Sequence, residues 1–124
     1  MRIAPIAASM LAAGLFFAAS VQASDVDHYE GKSAENLEQA VNNLRQYNQR
    51  LERILAKEDL TAEDLGKVHQ LSYTLENALQ RINKDMATIA GDLEAVHQAS
   101  ERNDADTVRS SGRKYLEQSN TLIE

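Results

Sequence analysis

Three histidines, His28, His69 and His97, are the only side chains besides carboxylates placed to hold a metal ion or carry a proton, because the sequence has no cysteine. His69 and His97 are 28 residues apart. On one continuous helix that is about 42 Å, so they cannot chelate a single ion within a chain. Neither belongs to a His-x-x-x-His or His-Glu-x-x-His pair. Glu94 and Glu101 stand within a turn of His97, but such flanking pairs are common on solvated helices. His28 lies among Asp25, Asp27 and Glu30, where a weak metal-collecting segment competes with a plain acidic lead-in. Met86 has the soft sulfur of a haem or copper ligand, yet between Ile82 and Ile89 a methionine ordinarily fills core space. His69 and Ser72 are one turn apart with no acidic third member and no oxyanion hole. No glycine-rich phosphate loop or EF-hand spacing occurs. The residues predict no catalytic site and no resident cofactor, with His28, His69 and His97 as weak metal candidates.

Composition narrows the partners. A formal charge of −6, from 19 acidic and 13 basic residues, opposes nucleic-acid binding and a resting place on anionic lipid. Without cysteine there is no thiolate catalysis, c-type haem attachment or iron–sulfur ligation. Residues 1–23 have the pattern of a secretory signal: Arg2, an apolar run from Ile3 to Ala19, and Val21-Gln22-Ala23 ahead of Ser24. The run is too short to span a bilayer comfortably, so no stable membrane insertion is expected after cleavage. The predicted location is periplasmic or secreted. Cleavage would remove Arg2 and no acidic residue.

The rest of the chain predicts an all-α fold. Residues 24–32 read as an extended lead-in, from which Tyr29 and Val26 could dock on a helix, and 33–124 as one helical domain. Ser33 is the expected N-cap of a first helix over Ala34 to Lys57, with an apolar stripe at Leu37, Val41, Leu44, Leu51 and Leu55. Asn48 falls in the gap of that stripe, where a buried asparagine could fix register. Arg50, Arg53 and Lys57 complement the dipole at the helix end. Thr61 and Asp64 form a capping-box-like start for a second helix, expected from Ala62 to Arg102. Its seam is Leu65, Val68, Ser72, Leu75, Leu79, Ile82, Met86, Ile89, Leu93 and Val96, alternating by three and four without a slip. Asn103 and Asp104 make the next turn, and a last helix runs from Ala105 to Ile123. Its small residues Ala105, Gly112 and Ser119 share one heptad position and predict a close neighbouring backbone.

Lengths constrain the arrangement. At 1.5 Å per residue the expected helices measure roughly 36, 62 and 28 Å. Short turns make neighbours antiparallel, so the outer helices share the length of the central one and cover it along one line. The expected architecture is a helical hairpin or three-helix bundle around one long helix. A homodimer, with two long helices antiparallel, would complete a four-helix-type bundle. The competing picture bends the long helix between Asp85 and Asp92 into a compact monomer.

VDHYEGKSAENLEQAVNNLRQYNQRL (Val26 to Leu51), HQLSYTLENAL (His69 to Leu79) and EAVHQASERNDADTVRSSGRKYLE (Glu94 to Glu117) resemble a family of small secreted proteins of Gram-negative bacteria known only as a domain of unknown function. The resemblance implies a periplasmic helical protein and no activity. A looser similarity, of shape alone, is to periplasmic four-helix cytochromes. The methionine those carry on the first helix and the histidine on the last are both missing here. The functional expectation is a non-enzymatic helical-bundle protein that binds an envelope partner or serves as a stress-related accessory. The alternative is a carrier of a metal ion, haem or other small ligand between its helices.

Overall fold

The computed structural model describes residues 29–124. The signal pattern, Val26 and His28 lie outside them. Three α-helices follow one another: α1 (Leu37–Leu55), α2 (Ala62–Glu101) and α3 (Ala105–Ile123). Among the described residues there are no strands. The 40 residues of α2 form one unbroken helix, which overturns the bent alternative. It is about 60 Å long, against about 28 Å for each 19-residue neighbour.

Both neighbours pack on α2 and only slightly on each other. α1 runs antiparallel along the first half of α2: Lys57, just past its end, meets Asp64, while Glu35, just before its start, meets Arg81. α3 returns along the second half, and its Gln118 Nε2 donates to Asp92 Oδ2 at 3.3 Å. The start of α1 and the end of α3 come together beside the middle of α2, around Val41, Asn42 and Thr121.

The junctions form as their residues dictate. Thr61 Oγ1 accepts from the Asp64 amide at 3.2 Å and Asp64 Oδ2 accepts from the Thr61 amide at 3.1 Å, a reciprocal capping box. Asn103 takes a left-handed φ of 57°, and Asp104 caps α3 by accepting from the Thr107 amide at 3.1 Å.

α1 starts later than Ser33 allows. Its N-cap is Asn36, whose Oδ1 accepts from the Gln39 amide at 2.9 Å. The reason is tertiary. The preceding segment lies across α2 as a strap and uses its backbone groups there. The Lys32 amide donates to Thr74 Oγ1 at 2.9 Å, the Lys32 carbonyl accepts from Asn77 Nδ2 at 3.3 Å, and the Glu35 carbonyl accepts from Arg81 Nη1. The Ser33 carbonyl accepts from Asn43 Nδ2 at 3.1 Å. Thr74, Asn77 and Arg81 follow at helical spacing, so one edge of α2 holds the strap out of helical form. Tyr29 docks as expected, its ring 6.2 Å from that of Tyr73.

Two glycines behave oppositely. A Cβ on Gly31 would stand 2.5 Å from the backbone of Tyr73 and Thr74, so the strap can approach α2 only without a side chain there. A Cβ on Gly112 would meet nothing nearer than Val96 Cγ2 at 3.8 Å, an ordinary contact. The close backbone approach anticipated along α3 does not require this glycine. Gly31→Ala should therefore lower unfolding stability by about 1–3 kcal/mol in urea melts, as an overpacked contact does. Gly112→Ala should raise it by about 1 kcal/mol through helix propensity alone.

Candidate functional site

The predicted seam of α2 divides into two lines, and the fold treats them differently. Along one, Val68, Leu75, Ile82 and Val96 are half-buried and Ile89 is buried. Along the other, the large side chains stay largely in water: Leu65 is 56 % exposed, Leu79 54 %, Met86 46 % and Leu93 46 %. Ser72, on the same line, is half-buried and turns its hydroxyl back to the His69 carbonyl at 2.7 Å. The side that receives α1 and α3 is instead the line one residue earlier in each heptad. Leu71, Ala78 and Ala99 are buried there, Asp85 and Asp92 are half-buried, and Thr74 beside them is fully buried.

This one-residue rotation leaves Leu65, Leu79, Met86 and Leu93 uncovered in the single chain, in keeping with a long helix covered along one line, while Val68, Leu75, Ile82, Ile89 and Val96 of the same seam are at least half-buried. Its physical cause is side-chain size and pairing. Ala78, Ala99 and Thr74 are small enough for neighbouring helices to approach. The two aspartates are not left unpaired, since Asp85 accepts from Arg81 Nε at 2.8 Å and Asp92 accepts from Gln118. A hydropathy pattern counts Asp85 and Asp92 as outward residues and Leu79 and Met86 as inward ones. Only the contacts reverse that order.

Most of the α1 stripe is covered: Leu37 is buried, Val41, Leu44 and Leu51 are half-buried, and on its flank Ala40 is buried and Tyr47 and Ile54 half-buried, while Leu55 at the helix end is exposed. Asn48, the anticipated buried polar residue, is exposed. The buried asparagine is Asn43, which holds the strap through Ser33. Nothing in the α1 pattern singles it out, because its partner lies in the irregular segment before the helix.

The two described histidines, His69 and His97, are not brought together. His69 is exposed and meets Tyr73 edge-on, with ring centroids 5.2 Å apart. His97 is exposed and its Nε2 lies 3.2 Å from Glu101 Oε1 on the same helix. Among the described residues no three His, Cys, Asp or Glu side chains form a group able to hold a metal. None of the three helices is long and apolar enough to cross a membrane.

The α1–α2 junction carries the strongest electrostatic perturbation. Asp64 is buried; its Oδ1 accepts from Lys57 Nζ at 2.5 Å, and its Oδ2 accepts from the Thr61 hydroxyl at 2.9 Å as well as from the Thr61 amide. Lys57 foremost, then the two Thr61 donors, hold the Asp64 carboxyl down at about 2, below its ordinary 3.8. On the surface nearby, Lys67 lowers Glu63 and is itself raised by it, their ion pair being 2.6 Å long. Asp104 is lowered by its bonds to Thr107.

The sequence matches, over residues 1–124, the model of a family of unknown function, DUF6746. Neither the curated proteins nor the solved structures offer a match.

The depressed Asp64 carboxyl has a pH signature. Its contribution to stability is present above 3.8, its ordinary and unfolded value, and is lost as pH falls towards 2. Thermal melts taken down that interval should show a falling Tm. Asp64→Asn should flatten the fall and lower the Tm at neutral pH, since amide and ammonium cannot form the ion pair.

Proposed function

This chain belongs to a family of unknown function, DUF6746, and on that premise we propose that it is a non-enzymatic, secreted interaction module of the cell envelope, working through the outward line of α2. One observation carries the reading. Four large apolar side chains, Leu65, Leu79, Met86 and Leu93, recur at multiples of seven residues on the side of α2 that neither α1 nor α3 covers. Each forgoes about 1 kcal/mol of burial by staying half in water. Regular spacing over about 42 Å fits another helix better than a small ligand.

The occupant best matched to this line is a second copy. Leu79 is the midpoint of the run from Leu65 to Leu93. A two-fold axis at Leu79 would set Leu65 against the partner copy's Leu93 and Ser72 against its Met86, burying the whole line in one self-complementary antiparallel contact. The positions bordering the line on its outer side, His69, Glu76, Asn83, Ala90 and His97, carry one formal charge among them, so little desolvation of charge opposes it. The signal pattern of residues 1–23 supports an envelope destination, which fractionation and sequencing of the mature N-terminus would test.

Sedimentation equilibrium at micromolar concentration should give twice the chain mass. Leu79→Lys should return the monomer mass while keeping the helical circular-dichroism signal. A wild-type protein that stays monomeric would overturn the self-pairing.

A further inference from the structure

The C-terminal half of α1, the N-terminal half of α2 and the start of the strap enclose a cleft of about 370 Å3, within the size range of small-molecule sites. Tyr29, Tyr47, Arg50, Arg53, Lys57 and Lys67 line it, and Ile54 with the buried Leu71 add apolar surface. On a chain of charge −6, four cations around one concavity are a local reversal of sign.

Among the described residues the acidic groups do not cancel it. Asp64 is the one carboxylate among the described residues of the lining, and it is already taken by Lys57 and Thr61. Glu63 pairs with Lys67 where both side chains are more than half exposed, and water screens the pair. Among the described residues no carboxylate lies within ion-pair distance of Arg50 or Arg53. Arg50 is instead held over the ring of Tyr47, 4.3 Å from its centre, a stacking that leaves the guanidinium N–H edge able to donate. Complementing the α1 dipole would account for Arg53, in the last turn. It demands neither Lys67 on the facing helix nor two tyrosines in the same cleft.

We propose that this cleft binds a small organic anion with a flat apolar body, of the aromatic carboxylate class, with its carboxylate on Arg50 and Arg53 and its ring against Tyr29 and Tyr47. Planar guanidinium forks suit a carboxylate, and phenol rings give apolar contact at low entropic cost. The site is separate from the outward line of α2 and does not depend on self-pairing.

Calorimetric titration of the whole chain with naphthalene-2-carboxylate, its primary amide and inorganic phosphate tests this. The carboxylate should bind one per chain. The amide, with the same ring and no charge, and phosphate, with charge and no ring, should each bind at least about tenfold more weakly, the loss expected for one charge-assisted hydrogen bond or one buried ring. Arg53→Gln should weaken the carboxylate by a similar factor, while Arg113→Gln, an equal charge change on an exposed residue of α3, should leave it unaltered. Circular-dichroism melts of both variants establish that they fold. Equal affinity for acid and amide, equal effects of the two substitutions, or no saturable binding of the carboxylate would overturn the proposal.

Discussion

α2 presents more apolar surface than two helices of half its length can cover. A 40-residue helix with α1 on one half and α3 on the other is packed from one side along its whole length. Its two neighbours meet end to end beside its middle, so neither can wrap the far side. The remaining features answer this constraint: short capped turns place the neighbours, small side chains set their distance, and the outward leucines are what is left over.

The covered side is more polar than a bundle core usually is. Thr74, Asp64 and Asn43 are buried, and each is satisfied by a group outside its own helix: the Lys32 amide, Lys57 and the Ser33 carbonyl. No buried side-chain nitrogen or oxygen among the described residues lacks a partner. These bonds specify position where apolar contact alone would allow sliding, since a helix shifted by one turn would leave several of them unmade and buried. The thin core of Leu37, Ala40, Leu71, Ala78, Ile89 and Ala99 is therefore registered by polar anchors at the strap and at the first turn. The same junction that holds Asp64 also gathers cations from α1 and α2, which is how an acidic chain comes to carry a basic cleft.

Much of the fold could be read from residue types. The continuity of α2 follows from an apolar period that never slips and from the lack of proline. The Thr61–Asp64 box and the Asn103–Asp104 turn follow from local hydrogen-bonding chemistry that needs no partner from elsewhere. α3 spans Ala105–Ile123 as its capping residue and period predict. The start of α1 was less legible because Ser33 is a sound N-cap by type. Only side chains of α2, more than 40 positions away, keep the segment through Glu35 out of the helix.

Local chemistry, then, determined three helices, their turns and the short-range order of the chain, because period and capping are properties of neighbouring residues. The tertiary structure alone decided which face of α2 is inside. Two adjacent heptad lines compete for that place, one rich in large apolar side chains and one mixing Leu71 with alanine and aspartate. The second wins because small groups admit a neighbouring backbone and the aspartates find donors on Arg81 and Gln118. It also decided that Tyr29, Arg53 and Lys67 share one cleft, since a lead-in and two antiparallel helices must pack before residues so far apart along the chain can meet.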